Sequence, residues 1–220
     1  MITLPKLKNR KLFEEAFTHR SYLNEVKQEV PSNERLEFLG DSILSFVVSS
    51  FLFEKYPNFD EGTLTNIRSL LVNTTSLSKL AYELNIGKLL KLSRGEEESM
   101  GRENEAILEN TFEAFVGALF LDQGIEAVRD FLEKALLCQI KDLIKKNSFK
   151  DPKSILQEVV QAKKQSSPVY RVLQESGPAH SKTFKVGVYV NGVMVGAGLG
   201  KSKQVAESFA AKTALEKGSL

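Results

Sequence analysis

Apolar side chains recur at three- and four-residue intervals through almost all of residues 8–145. LFEEAFTH, LEFLGDSILSFVVSSFLFEKY, LTNIRSLLV, TSLSKLAYELN, ILENTFEAFVGALFLD and IEAVRDFLEKALLCQIKDLIKK each gather those residues on one side of a helix. The stretches are separated by helix-starting or helix-ending signals at Pro31-Ser32, Pro57-Asn58, Asn73-Thr74 and Gln123-Gly124. GEEESMGRENE, residues 95–105, is polar and predicts an exposed loop. No repeat at solenoid spacing is present, so the pattern predicts a compact helical bundle.

The pattern changes after residues 145–152. PKSILQEVVQAKKQ keeps a helical period, with Pro152 suited to a first turn. PVYRVLQE, KTFKVGVYV and VMVGAGLG then alternate as strands do, separated by Ser176-Gly177-Pro178 and by the hairpin signal Asn191-Gly192. KSKQVAESFAAKTALEKG closes the chain as an amphipathic helix. This α-β-β-β-α order predicts an antiparallel three-stranded sheet with both helices on one face. The expected fold is therefore an all-α domain over residues 1–145, a short polar linker over 146–151 and an α+β domain over 152–220.

Charge follows the same division. Residues 146–220 hold twelve Lys and Arg against five Asp and Glu; the rest of the chain holds eighteen against twenty-three. A basic third joined to an acidic two-thirds implies different partners for the two domains. The basic part suits a phosphate backbone, or is a solvated basic surface. A single cysteine, Cys138, excludes an internal disulfide and a cysteine-cluster zinc site. Neither end carries a secretory or membrane-length apolar stretch, so the expectation is a cytoplasmic protein with no membrane partner.

Candidate chemistry lies in two acidic stripes. In NERLEFLGDSIL, Glu34, Glu37 and Asp41 stand at i, i+3 and i+7 on one side of a helix. Leu36, Leu39, Ile43, Phe46 and Val47 define the expected core side. Glu37 and Asp41 are a like-charge i,i+4 pair, which costs about 0.2–0.5 kcal/mol even when exposed. Arg35 is the only basic residue nearby. In ILENTFEAFVGALFLD, Asn110 and Glu113 share a stripe that Gly117 continues, with Phe112, Phe115 and Leu119 opposite and no Lys or Arg between Arg102 and Arg129. Gly117 would admit another backbone or a ligand. Spacing alone leaves two alternatives, a solvated helix face and a carboxylate pocket for a hard divalent cation such as Mg²⁺.

NERLEFLGDSIL resembles the signature of the ribonuclease III family. FEEAFTHRSYLNE is similar to that family's opening helix, and DEGTLTNIRSLLVN to the segment carrying a further acid. SRGEEESMGRENEAILENTFEAFVGALFLDQG resembles its loop and second metal-binding helix, and the last seventy residues resemble a double-stranded RNA-binding domain. The resemblance covers nearly the whole chain in the bacterial two-domain order. It implies a homodimeric, Mg²⁺-dependent endoribonuclease, with Mn²⁺ as a substitute ion. Such an enzyme cuts double-stranded RNA to 5′-phosphate and 3′-hydroxyl ends with short 3′ overhangs, in ribosomal, messenger or transfer RNA precursors.

The resemblance places Asp41 and Glu113 as the catalytic pair, and Glu37, Asp41, Asn110 and Glu113 around the metal. Glu34 matches an acid that supports subunit contacts and substrate positioning, and Glu61 one associated with the active-site valley. Asn110 departs from the family, which commonly has Asp there; the change removes one negative charge but keeps a carbonyl oxygen. It is the basis of an alternative, a double-stranded RNA-binding regulator with impaired cleavage. Phe38 is a candidate dimer contact or an ordinary core residue, and His19 is expected to make a structural hydrogen bond. In the basic domain, Gln157 and Gln161 share a helix face suited to the wide minor groove of duplex RNA, where recognition is by shape. His180 lies in a loop toward a second groove, and Lys201, Ser202 and Lys203 open the last helix, where phosphate is favoured. Gln204 stands where the family often has another Lys.

Overall fold

The computed structural model describes residues 2–27, 30–145, 152–178 and 181–217. The described residues of the first part form α1 (Arg10–Ala16), α2 (Glu34–Lys55), α3 (Glu61–Leu71), α4 (Thr74–Glu83), α5 (Arg94–Glu98), α6 (Glu105–Ala135) and α7 (Ile140–Lys145), all but α5 following the apolar spacing. Polar side chains start several of them. Asn9, Asp60, Asn73, Ser93 and Asn104 accept hydrogen bonds from first-turn amides of α1, α3, α4, α5 and α6, each contributing about 1 kcal/mol. Helix α5 lies where the polar stretch 95–105 predicted a loop. The Ser93 cap and the Arg94–Glu98 ion pair at 3.1 Å support a single turn there. Arg102 ties the following segment down by donating to the Gly87 and Leu90 carbonyls, both at 2.8 Å.

Helix α6 forms the axis of this unit. Phe112, Ala114, Phe115, Val116, Ala118 and Leu119 are fully buried, so the helix is enclosed on most sides. Rings of Phe17 and Phe131 flank Phe115, with centroids 6.0 and 5.8 Å away. The Gln123-Gly124 boundary survives as a break inside α6, where Gly124 has φ +82°.

Helix α2 packs along α6 through Leu36, Gly40, Ile43, Leu44, Val47, Val48 and Leu52. Phe46, expected on the core side, is instead 57% exposed, and Leu39 is only partly buried. The burial line is set by Gly40, and Phe46 lies about 120° around the helix from it. Among the described residues α2 is the one helix with the length and composition to cross a membrane. Its buried face is spent on the unit's own core, which accounts for its apolar character.

The second unit contains α8 (Pro152–Ala162), strands β1 (Val169–Ser176), β2 (Thr183–Val190) and β3 (Val193–Gly200), and α9 (Lys203–Lys217). The sheet is antiparallel in the order β1-β2-β3. Asn191 and Gly192 turn β2 into β3 with φ of 51° and 79°, as a tight hairpin requires. Leu156 and Val160 of α8, Val188 and Val190 of β2, Val195 of β3 and Ala210, Ala211 and Ala214 of α9 share one core, so both helices cover the same sheet face. Chain contacts divide at Met1–Phe149 and Lys150–Leu220; the predicted linker 146–151 lies outside the described residues.

Candidate functional site

The acidic stripes meet because two glycines let α2 and α6 touch backbone to backbone. A Cβ on Gly40 would land on the Glu113 carbonyl oxygen and stand 3.0 Å from the Gly117 amide nitrogen. A Cβ on Gly117 would land on the Leu36 carbonyl oxygen, 3.1 Å from the Gly40 nitrogen. Gly117 thus admits a backbone rather than a ligand. Only at this separation can side chains one turn away on each helix share a pocket.

That pocket has a volume of about 590 Å³ and is lined by His19, Arg20, Asn33, Glu34, Glu37, Phe38, Asp41, Asn110 and Glu113. The structure therefore brings together Glu34, Glu37, Asp41, Asn110 and Glu113. It does not bring Glu61 there: that residue begins α3, accepts from Thr65 at 3.2 Å and lines a different groove. Sequence reasoning missed Glu109, half-buried one turn before Glu113 and close enough to raise the pKa values of Glu37 and Glu113. Its i,i+4 spacing from Glu113 was a usable signal.

The acids differ in their surroundings. Glu34 has the company its own helix lacks: Arg20 lies 3.4 Å away and Ser32 donates at 2.9 Å. Among the described residues no Lys, Arg or His stands within 4.0 Å of the Glu37, Asp41 or Glu113 carboxylates. Burial, then the charges of Glu34, Glu109 and Asp41, raise the Glu37 carboxyl above its usual value. Glu113 is 9% exposed, and burial followed by Asp41, Glu109 and Glu37 pushes it up to about 8. A buried carboxylate among like charges is stable only if it holds a proton or gains a cation.

The donor set suits a hard divalent ion: carboxylate oxygens plus the Asn110 carbonyl, with no sulfur. Among the described residues, no three Asp, Glu, His or Cys side chains stand close enough together to hold a metal ion by themselves. An open set of this kind matches an ion that keeps water or takes phosphate oxygens as further ligands. His19 serves structure, as expected: its Nδ1 accepts from the Ser21 amide at 3.3 Å and caps the following turn.

In the second unit, Gln157 and Gln161 are both exposed, about 100° around α8 from the buried Leu156 and Val160. Lys201, Ser202 and Lys203 are exposed at the start of α9. Ser202 caps it, its Oγ accepting from the Val205 amide at 3.2 Å. Lys203 lies 3.5 Å from Glu175 and 5.7 Å from the centre of the Phe184 ring. Lys182, which sequence reasoning passed over, lies 3.5 Å from the other Glu175 oxygen. His180 lies outside the described residues.

A helical unit built around a carboxylate pocket, followed by a basic α-β-β-β-α unit, defines a nuclease domain joined to a double-stranded RNA-binding domain. Comparison with known proteins agrees. The family described as ribonuclease-III-like matches residues 9–140, and the double-stranded RNA binding motif matches residues 152–217. The chain belongs to the ribonuclease III family, whose members are endoribonucleases. Ribonuclease 3 of Streptococcus gordonii is 46% identical over 213 residues, covering 96% of this chain and 90% of that protein. Ribonuclease 3 of a Streptococcus pyogenes serotype M2 strain is 47% identical over 208 residues, covering 93% and 89%.

Solved structures resemble the chain as well, two of them as follows. The ribonuclease III nuclease domain from Campylobacter jejuni, described for flexibility in a region involved in dimer formation, is 37% identical with a TM-score of 0.55. It covers 59% of this chain and 87% of that one. Dicer from Pichia stipitis is 28% identical with a TM-score of 0.51, covering 99% and 98%.

Proposed function

We propose that this chain is a Mg²⁺-dependent endoribonuclease of the cytoplasm that hydrolyses double-stranded RNA, with precursors of ribosomal, messenger and transfer RNA as its substrates. The observation that carries the proposal is the pocket at the Gly40–Gly117 crossing, where Glu37, Asp41, Asn110 and Glu113 line one space and the three acids lack a protein cation. The attached basic unit supplies what such a pocket lacks, a surface for the anionic duplex.

Glu37, Asp41, Asn110 and Glu113 are the residues that would hold the ion. When bound, Mg²⁺ supplies positive charge for phosphate oxygens and lowers the pKa of the attacking water. Asp41 and Glu113 flank the reacting phosphate as the catalytic pair. Glu113, pushed up to about 8 by burial and by Asp41, Glu109 and Glu37, would hold a proton at neutral pH in the ion-free protein. Water adds to phosphorus, the bond to the 3′ oxygen breaks, and that oxygen leaves as a 3′-hydroxyl while phosphate stays on the 5′ end. Gln157, Gln161, His180, Lys201, Ser202 and Lys203 hold the duplex by its shape and backbone.

The working form is a homodimer. Phe38, Phe46 and Phe53 of α2 are 79%, 57% and 74% exposed. They lie on the side away from Gly40 and outside the unit's core, which supports the reading of Phe38 as a dimer contact. Glu61 lines the neighbouring groove with Phe53, Tyr56, Phe59 and Leu64. Staggered cuts by two subunits would leave the short 3′ overhangs.

Incubation with long duplex RNA tests the proposal. Cleavage is expected with Mg²⁺ and not with EDTA, and Glu113→Gln should lower it by at least about a thousandfold while duplex binding stays within about twofold. A wild-type chain that binds duplex RNA and never cuts it would establish the regulator suggested by Asn110 instead.

A further inference from the structure

Of the four groups proposed to hold the ion, one carries no charge. Glu37, Asp41 and Glu113 are acids, while Asn110 offers a neutral amide. Glu34 also lines the pocket, but its charge is paired with Arg20. Among the described residues no three acids stand close enough together to hold a metal ion by themselves. An ion in so loose a set keeps waters between itself and some of its partners, and its affinity follows the summed charge around it as well as direct bonds. The pocket still calls for a cation. Glu113 lines it, is 9% exposed, and makes no side-chain hydrogen bond or ion pair among the described residues.

One more acid belongs to this field. Glu109 stands next to Asn110 in sequence and one turn of α6 before Glu113, which puts the two Cβ atoms about 5–6 Å apart. It is half-buried and, among the described residues, makes no ion pair and no side-chain hydrogen bond. It does not line the pocket, so it is no direct ligand there. Its charge nevertheless acts across the crossing of α2 and α6, raising the carboxyls of Glu37 on α2 and of Glu113 on its own helix. Glu105, one turn earlier on α6, is exposed and acts on neither. Glu37, Asp41, Glu109 and Glu113 repel one another while the pocket holds no cation, and a cation among them relieves that repulsion.

Resting on the reading of the pocket as an Mg²⁺ site, we propose that Glu109 is a positioning residue for the ion: from outside the pocket it supplies the fourth negative charge that Asn110 does not, and so sets how tightly Glu37, Asp41, Asn110 and Glu113 hold Mg²⁺. Contact is not required for this. A divalent ion that keeps part of its water responds to carboxylates within a Debye length, about 8 Å at physiological ionic strength.

The test uses the full-length chain and Mg²⁺ alone, without RNA, at about pH 9, where the raised carboxyls are ionised and protons compete little. Melting is followed in EDTA and along an Mg²⁺ titration, which yields a dissociation constant. Glu109→Gln should melt higher than wild type in EDTA, because a repulsion is gone. It should also bind Mg²⁺ about 3- to 10-fold more weakly, because an attraction is gone. A packing role for Glu109 would lower the melting point in EDTA. Adding Asn110→Asp to Glu109→Gln should return the dissociation constant to the wild-type value or below it, and Glu105→Gln should leave it within about twofold. Equal Mg²⁺ affinity in wild type and Glu109→Gln overturns the proposal, as does an equal loss in Glu105→Gln or no recovery on adding Asn110→Asp. A Glu109→Gln chain that melts lower in EDTA, or fails to fold, makes Glu109 a structural residue and overturns it too. A wild-type chain that Mg²⁺ does not stabilise at all would instead refute the ion site, and this inference with it.

Discussion

Glu113 is the residue on which the electrostatics of the site concentrate. Its carboxyl rises from an ordinary 4.5 to about 8 because it is buried and faces Asp41, Glu109 and Glu37. A carboxyl raised on folding stabilises the folded state fully below the unfolded value, and that stability is lost as pH climbs through the folded one. Metal-free protein should therefore melt at progressively lower temperature between about pH 4.5 and 8, by at most about 1.4 kcal/mol per pH unit. His19 is lowered by burial, so above pH 7 the decline belongs to the raised carboxyls, Glu113 with Glu37 beside it. Melts in EDTA across that window should show the decline, and Glu113→Gln should flatten it. Millimolar Mg²⁺ should stabilise wild type more at pH 8 than at pH 7, since it replaces a proton. A flat wild-type profile would remove Glu113 from the site. The stripe holding Glu113 and Asn110 was plain from spacing; that it faces protein rather than water was not, because periodicity gives a residue's side of a helix and never its neighbour.

At the scale of elements, the crossing of α2 and α6 depends on having no side chain at Gly40 and Gly117. Gly40→Ala should lower unfolding stability by roughly 2 kcal/mol or more, since its methyl collides with fixed backbone rather than a movable side chain. Cleavage should fall with it as the stripes separate. Gly62 sits in α3 with nothing within 4 Å, so Gly62→Ala should instead be neutral or stabilising by about 0.5–1 kcal/mol. Denaturant titration of the two variants side by side distinguishes tight packing from the general helix cost of glycine. Helix existence was legible except at α5, which fell in a stretch read as a loop, and so were the strands and the Asn191-Gly192 turn. Phe46 was misplaced because the apolar positions of α2 wrap most of the way around it. An apolar face that meets a core and one that stays exposed carry the same residues.

For the molecule as a whole, the exposed Phe38, Phe46 and Phe53 edge on α2 asks for a partner of the same kind. Phe46→Glu combined with Phe53→Glu should convert a dimer to a monomer in sedimentation and make melting independent of protein concentration, as it is not for a dimer whose folding and association are linked. Duplex binding by the second unit should survive, because its core of Leu156, Val160, Val188 and three α9 alanines is its own. A double variant that remains dimeric would relocate the interface.

Local chemistry along the chain was enough to determine all the helices but α5, the sheet order, the basic second unit and the two acidic stripes, though not the part played by Glu109. These depend on short-range spacing, turn residues and charge, all of which a sequence states directly. The meeting of Glu37 and Asp41 with Glu113, the exclusion of Glu61 and the company Arg20 gives Glu34 were decided by tertiary structure alone. Each depends on how closely two distant segments approach, and at Gly40 and Gly117 that distance is set by the absence of a single carbon atom.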